Sequence, residues 1–168
     1  MSARSKYTRK EYTIAQSAYM AGILDGEGSF YIGNYSANRK NGDKHYQTNL
    51  KVSCTDKILI DWIFDTFGGI RHLYTHKQTP KNSRKPVHGW QCSGDRLQHI
   101  CEVVLPYLTI KKRQAEILIE MRKTFHDAHN VKGIFQVQRL PKEILDKRFE
   151  LFTELRSLHG RFYQNKLV

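Results

Sequence analysis

Two carboxylates, Asp25 and Glu27, lie between glycines in residues 20–28, which read Met-Ala-Gly-Ile-Leu-Asp-Gly-Glu-Gly. A carboxylate supplies the hard oxygen ligands that ions such as Mg²⁺ prefer. The alternative for Glu27 is a helix-end carboxylate without chemistry, and for Asp25 it is packing or hydrogen bonding. The pair is the first candidate for a chemical site.

A helix followed by a strand is expected to hold this pair. Residues 14–24 contain no Pro and no Gly before position 22, and Thr13 is suited to cap a helix that starts there. Gly26 and Gly28 are expected to end the helix and to let the chain turn into a strand. Glu27 is therefore expected near a helix end.

Small residues recur along this helix at the spacing of one face. Ala18 and Gly22 are four residues apart, as are Ala21 and Asp25. Residues at this spacing lie above one another on a helix, so this flank allows a second backbone to approach closely.

The charge of the chain favours a polyanionic partner. Its 168 residues fit about one domain, and 28 Lys and Arg against 16 Asp and Glu give a net charge of +12 with a pI near 9.7. Such an excess favours nucleic acid first and a lipid surface second.

No targeting or membrane segment is evident in the sequence. No apolar run reaches the roughly 20 residues that cross a bilayer, and the first ten residues lack the apolar stretch of a signal peptide. The three cysteines lie far apart and cannot all pair, which fits a reducing compartment. We expect an intracellular, soluble protein that is not bound to membranes.

Residues 1–13 are basic and nearly free of apolar side chains, which predicts an N-terminal arm that either contacts phosphates or is a solvated tail. Residues 14–168 then form a single domain, whose C-terminal helical part covers about 129–168.

Two strand pairs are expected, each followed by a helix. In the first pair, Asn41-Gly42 fits a hairpin turn, and the returning strand places Leu50 and Val52 on one face. The other face of that strand is polar and carries Gln47, Asn49, Lys51 and Ser53.

The second pair, residues 70–76 and 87–93, flanks a loop in a stretch without any acidic residue from 69 to 94. A hairpin whose charged residues are all basic indicates contact with phosphate. Trp90 and Cys92 should face inward. The basic residues of this stretch are Arg71, Lys77, Lys81, Arg84 and Lys85.

Helix ends and apolar stripes can be assigned in the rest of the chain. Asp56 begins one helix, Thr109 can cap another, and Pro141 suits the start of a last one. The predicted buried stripes include Ile58, Ile110 and Phe149. Lys111-Lys112-Arg113 crowd a first turn, the unfavourable end of the helix dipole for cations, which calls for an anion nearby.

The resulting order predicts an α+β fold with a four-stranded antiparallel sheet and its helices on one face. The open face would carry amides, a lysine and a hydroxyl, and a two-stranded ribbon of this composition fits the DNA major groove. We therefore expect the sheet to be the surface that reads DNA.

Residues 20–28, followed by Ser29-Phe30, resemble the signature of the LAGLIDADG homing endonucleases, and the element order resembles their αββαββα core over residues 14–128. The motif occurs once, and the resemblance implies a homodimer whose motif helices pack at a two-fold axis. The implied dimer interface is Ala18, Ala21, Gly22 and Asp25.

The same resemblance implies the chemistry. Glu27 and the carbonyl of Gly26 would bind Mg²⁺, Mn²⁺ would substitute, and Ca²⁺ would bind without supporting cleavage. Lys111 would support the water network or the charge that develops on phosphate. Asp56 stands where relatives place a polar residue that orients water, although helix capping explains it equally well.

The residues expected to contact DNA lie on the strands and in the two hairpin loops. They are Tyr31, Gly33, Tyr35, Arg39, Lys40, Gln47, Asn49, Lys51, Ser53, Arg71, His72, Tyr74, His76, Lys77, Lys81, Arg84, Lys85 and Gln91. Tyr46 could also contact DNA or pack at the sheet edge.

The implied activity is Mg²⁺-dependent phosphodiester hydrolysis that breaks both strands of a long, partly palindromic target, as in intron homing. Two alternatives remain, an intron RNA maturase and a DNA-binding regulator that does not cleave. The resemblance also suggests an organelle, chloroplast or mitochondrion, or a microbial cytoplasm.

Overall fold

The structure, a computed structural model, describes residues 7–36, 44–74, 85–130 and 140–159. In these residues the element order confirms the predicted αββαββα core with further C-terminal helices. The elements are α1 (Ile14–Glu27), β1 (Gly28–Ser36), β2 (Lys44–Cys54), α2 (Lys57–Phe67), β3 (Ile70–Tyr74), β4 (Val87–Ser93), α3 (Gly94–Val104), a 3₁₀ turn (Leu105–Tyr107), α4 (Lys112–Asn130) and α5 (Lys142–His159). No helix in the described residues is long and apolar enough to cross a membrane.

The four strands form one antiparallel sheet in the order β1-β2-β4-β3. Leu50, Val52 and Trp90 are buried on the face that the helices cover. Because side chains alternate along a strand, the residues between them face away from the helices. The predicted α+β architecture, with helices on one face and an open face on the other, is confirmed.

The α1 helix begins at the predicted cap and ends later than predicted. Thr13 and Gln16 form a capping box, with the Gln16 N–H 3.1 Å from the Thr13 hydroxyl and the Thr13 N–H 2.9 Å from the Gln16 amide oxygen. Gly26 lies within the last turn, and the helix ends at Gly28. A Cβ at Gly28 would lie 2.5 Å from the Leu24 carbonyl oxygen, so only glycine fits there.

Three side chains predicted to be buried are exposed. Ile58 is 81% exposed, Ile110 75% and Phe149 52%. Ile58 and Ile110 lie at or before a helix start, where no neighbouring element covers the chain. In α5 the buried face is instead Arg148, Leu151 and Leu155.

Residues 7–13 pack against the helices, which corrects the predicted free arm for this part. The Tyr12 ring lies 4.5 Å from the Phe67 ring, and the Lys10 carbonyl accepts a 2.8 Å hydrogen bond from His99 Nε2. Arg9 pairs with Glu102 at 2.9 Å. Aromatic contact and ion pairing therefore hold the segment, while residues 1–6 lie outside the described residues.

Arg113 ties α5 to the first turn of α4. Its Nε and Nη2 donate to the two carboxylate oxygens of Glu154 at 2.6 and 2.8 Å, and Nη1 donates to Glu120 at 2.8 Å and Glu116 at 3.3 Å. These carboxylates raise the pKa of the guanidinium. They also supply part of the anionic charge that the basic first turn requires.

Arg113→Ala is expected to lower the free energy of unfolding by about 1 kcal/mol, because the pairs are part-exposed and solvent screens them. Loss of the forked guanidinium also leaves three carboxylates close together, so the loss should shrink with added salt. Urea unfolding at low and high salt measures both effects. Arg113→Lys keeps the charge but loses the forked pair of donors, so its free energy of unfolding should lie between those of the wild type and Arg113→Ala. A loss of stability that does not depend on salt would contradict the electrostatic explanation.

Candidate functional site

Glu27 is the last residue of α1, and its side chain is exposed. Among the described residues it makes no hydrogen bond and no ion pair. Its carboxylate is therefore available to a ligand. The Gly26 carbonyl lies beside it in the same helix end.

Lys111 places its ammonium at the carboxyl end of α1. Nζ donates to the carbonyl oxygens of Leu24 at 3.0 Å, Gly28 at 2.8 Å and Gly26 at 3.4 Å. Burial lowers the pKa of Lys111, and the charges of Asp25 and Glu27 partly offset this. The cation offsets the partial negative charge of the last carbonyls of the helix.

Asp25 holds the start of α4. Its Oδ2 accepts from the Thr109 N–H at 2.8 Å, and its Oδ1 accepts from the N–H groups of Ile110 at 3.2 Å and Lys111 at 2.9 Å. Burial raises the pKa of Asp25, but these donors and the Lys111 charge outweigh it and lower the pKa.

One expectation is corrected by these contacts. Thr109 does not cap α4 with its own side chain, because the Asp25 carboxylate receives the free N–H groups there. The same carboxylate makes hydrogen bonds within its own chain, which is the alternative role that the sequence offered for Asp25, and its place in a dimer interface stays a prediction. It also supplies an anion beside the crowded cations of residues 111–113.

Asp56 is the N-cap of α2. Its Oδ1 accepts from the N–H groups of Ile58 at 2.8 Å and Leu59 at 3.3 Å. The structure thus places the carboxylate in the capping role that the sequence left open. A role in orienting water remains a prediction.

The exposed stripe of α1 is made of Ala18, Gly22 and Gly26, each four residues from the next. A Cβ at Gly22 or Gly26 would meet no neighbouring atom within 4 Å. Ala21 is fully buried in the core of its own chain, so it cannot belong to this stripe. We define Ala18, Gly22 and Gly26 as the small-residue stripe.

The chemistry of the Glu27 carboxylate and the Gly26 carbonyl fits a hard divalent cation, since both are oxygen donors. Within the described residues no group of three or more His, Cys, Asp or Glu side chains could hold a metal. Two donors from one chain therefore require others from phosphate, water or a second chain.

The open face of the sheet carries most of the predicted DNA-contacting residues that the structure describes. The exposed or half-buried members on or beside it are Tyr31, Tyr35, Gln47, Asn49, Lys51, Ser53, His72, Tyr74, Lys85 and Gln91. None of these residues is acidic, and amides and hydroxyls outnumber the charged groups, which suits hydrogen bonding to base edges.

Tyrosine rings cover two glycines of the open face. A Cβ at Gly33 would lie 2.5 Å from the Tyr35 ring, and one at Gly89 would lie 2.9 Å from the Tyr74 ring. Gly33 is therefore beneath Tyr35 rather than directly exposed. The Lys51 ammonium lies 5.6 Å from the centre of the Tyr31 ring, within reach of a cation–π contact.

Arg71 lies on the wrong face for the DNA contact that was predicted. It pairs with Trp90 across β3 and β4 and so points to the helix side. There it donates to Asp61 at 2.6 Å and lies 4.2 Å from the Phe64 ring centre. Tyr46 also lies on the helix side, where it is buried, with its ring 5.8 Å from that of Phe152.

Sequence reasoning missed other residues near these surfaces. His45 and Ser29 share the open face, and extending the alternation of β2 by one step would have found His45. His159 ends α5, and burial followed by the Lys111 charge lowers its pKa. Predicted residues outside the described part of the chain are Arg39, Lys40, His76, Lys77, Lys81 and Arg84, together with the turn Asn41-Gly42.

No protein-family model and no curated protein matches the sequence. Solved structures do match the fold. The homing endonuclease I-CvuI, in complex with its target in the presence of Ca, has a TM-score of 0.63 at 19% identity, covering 86% of this chain and 82% of that chain.

Two further structures show the same likeness. The archaeal intron-encoded homing endonuclease I-Vdi141I, complexed with DNA, has a TM-score of 0.65 at 14% identity, covering 89% of this chain and 87% of its own. The LAGLIDADG meganuclease I-AabMI, bound to uncleaved DNA, has a TM-score of 0.58 at 18% identity, covering 83% of this chain but 44% of its own. This chain therefore adopts the fold of the LAGLIDADG homing endonucleases.

Proposed function

We propose that this protein is a site-specific DNA endonuclease that hydrolyses one phosphodiester in each strand of its target. The observation that carries the proposal is the exposed carboxylate of Glu27 at the end of α1, which has no bonded partner among the described residues. It lies within electrostatic reach of the Lys111 ammonium and at the border of an open polar sheet.

The sheet is proposed to lie in the major groove. Gln47, Asn49 and Gln91 offer amides that can pair with base edges, while basic residues of the two hairpin loops contact phosphates. The net charge of +12 supports such a partner, since release of counterions from DNA strengthens binding.

The active form is proposed to be a homodimer in which two α1 helices pack along the small-residue stripe. Two strands must be cut, and one chain supplies one Glu27. The aligned part covers 44% of the I-AabMI chain but 82% of the I-CvuI chain. One copy of this fold therefore corresponds to about half of the first structure and to most of the second. Two-fold symmetry favours a partly palindromic target.

Glu27 and the Gly26 carbonyl would hold Mg²⁺ at the scissile phosphate. Bound there, such an ion lowers the pKa of water and stabilises charge on the leaving oxygen. Lys111 fixes a positive charge at the end of α1, where the carbonyl oxygens and the Glu27 carboxylate would otherwise repel phosphate. The attacking water loses a proton to solvent as its oxygen bonds to phosphorus and the bond to the leaving oxygen breaks, and the leaving oxygen takes up a proton from solvent.

Selection of cleaved sites from a randomised duplex library tests this function. With Mg²⁺ we expect one family of long, partly palindromic sites cut on both strands, and with Ca²⁺ the same sites bound but uncut. Sites that are bound but never cut would instead indicate a regulator. Binding to intron RNA without DNA cleavage would indicate a maturase, and intron homing is proposed only if a cut site lies at an intron insertion point.

Lys51→Ala is expected to weaken binding to the selected site by about 1–3 kcal/mol and to relax specificity at one base pair, if Lys51 contacts a base edge. Competition binding with single-position variants of the site measures this. Lys123→Ala, at an exposed position of α4, is the control for loss of one positive charge. Equal weakening on every sequence would place Lys51 on a phosphate.

A further inference from the structure

Asp25 and Lys111 each bind the backbone groups of the helix end at which the other residue lies. Asp25 lies in the last turn of α1 and accepts from the N–H groups of residues 109–111, just before α4. Lys111 immediately precedes α4 and donates to the carbonyls that close α1. The two residues thus satisfy both free helix ends with opposite charges. We call these contacts the helix-end exchange.

We propose that Asp25 is a positioning residue for cleavage, acting through Lys111 and the end of α1. The inference rests on the proposed endonuclease function. Both carboxylate oxygens of Asp25 accept hydrogen bonds from residues 109–111, so the side chain would act through these residues rather than on the substrate itself.

The contact distances show how Asp25 would act. Its bond to the Lys111 N–H is 2.9 Å, which fixes the backbone from which the Lys111 side chain extends. That side chain then reaches the carbonyls of Leu24 and Gly28 at 3.0 and 2.8 Å, on both sides of Glu27. Glu27 itself has no hydrogen bond among the described residues, so its position depends on the backbone that carries it.

Loss of the Asp25 charge would weaken the hydrogen bonds that hold the backbone of residues 109–111. An amide at position 25 keeps one acceptor oxygen and cannot serve the same donors on both atoms. The N–H groups of residues 109–111 would then turn to water, and the Lys111 ammonium would no longer be held across the end of α1. Groups that orient the ligands of a metal site commonly change activity without contacting substrate.

Asp25→Asn tests the proposal, with Thr13→Ala as the matched control. Thr13 caps the opposite end of α1, so its loss weakens the same helix without touching the exchange. Three quantities are measured on the full chain: hydrogen exchange of the amides of 109–111, affinity for the selected site in Ca²⁺, and the single-turnover cleavage rate in Mg²⁺.

For Asp25→Asn we expect faster exchange at 109–111, unchanged DNA affinity and a cleavage rate lowered by about 10- to 100-fold. Thr13→Ala should leave exchange at 109–111 and the cleavage rate at wild-type values. Asp25→Glu keeps the charge on a longer side chain, so its cleavage rate and its amide exchange at 109–111 should lie between those of the wild type and Asp25→Asn. It serves as the test variant if Asp25→Asn does not fold.

Wild-type cleavage by a variant that has lost protection at 109–111 would overturn the positioning role. A rate loss no larger than that of Thr13→Ala would overturn it as well, since it would reflect helix stability alone. Failure of the wild-type protein to cleave any DNA would instead refute the proposed function, and the exchange data would still report whether Asp25 holds the start of α4.

Discussion

Glu27→Gln is expected to bind the selected DNA site as tightly as the wild type and to cleave it about 10²- to 10³-fold more slowly, the loss typical of removing one key electrostatic group. The side chain is exposed and unbonded within the described residues, so the change should not affect folding. An amide keeps the shape of the group but supplies a much weaker ligand for a hard cation. Single-turnover cleavage in Mg²⁺ and binding in Ca²⁺ measure the two effects separately.

Glu150→Gln is the matched control, because Glu150 is an exposed carboxylate on α5 rather than at the end of α1. It removes the same charge and should cleave at the wild-type rate. Cleavage by Glu27→Gln at the wild-type rate would remove Glu27 from the mechanism. Loss of both binding and cleavage would show that the residue holds the fold or the DNA instead.

Gly22→Leu is expected to abolish both dimerisation and double-strand cleavage while leaving the chain folded. No neighbouring atom lies within 4 Å of a Cβ at this position, so the isolated chain has room for a side chain. Replacing glycine inside a helix should even stabilise it, by up to about 1 kcal/mol. Between two α1 helices packed along the small-residue stripe, the same side chain would keep the backbones apart.

Sedimentation and thermal unfolding distinguish these outcomes. Gly22→Leu should sediment as a monomer with an unfolding temperature no lower than that of the monomeric wild type at high dilution. Thr153→Leu places the same apolar side chain on the exposed surface of α5 and should remain a dimer. A dimeric Gly22→Leu protein would place the interface elsewhere.

Local signals in the sequence predicted most of the fold. The alternation of β2, the Thr13 cap and the glycines after α2 each depend on neighbouring residues, and all three are present in the structure. Gly68 and Gly69 have φ values of 68° and 107°, a conformation that favours glycine. Such features are visible in sequence because the physics that produces them acts within a few residues.

Contacts between distant residues were not predictable in this way. Asp25 meets Thr109 across 84 positions, and Arg71 meets Asp61 only because β3 turns that residue toward α2. A one-residue change of register would have moved Arg71 to the open face. Exposure of Ile58 and Ile110 likewise depends on which neighbouring element covers each helix start.

The helix-end exchange also predicts an order of events in folding. Its partners are separated by 83 to 87 positions, and both strand pairs lie between them in the chain. Contacts that close such long loops form late, because the chain entropy lost must be offset by structure already in place. A ribosome-bound chain that ends before residue 109 would therefore carry Glu27 without the partners that steady it. Under the proposed function, cleavage would then depend on contacts that can form only after residues 109–111 have been synthesised.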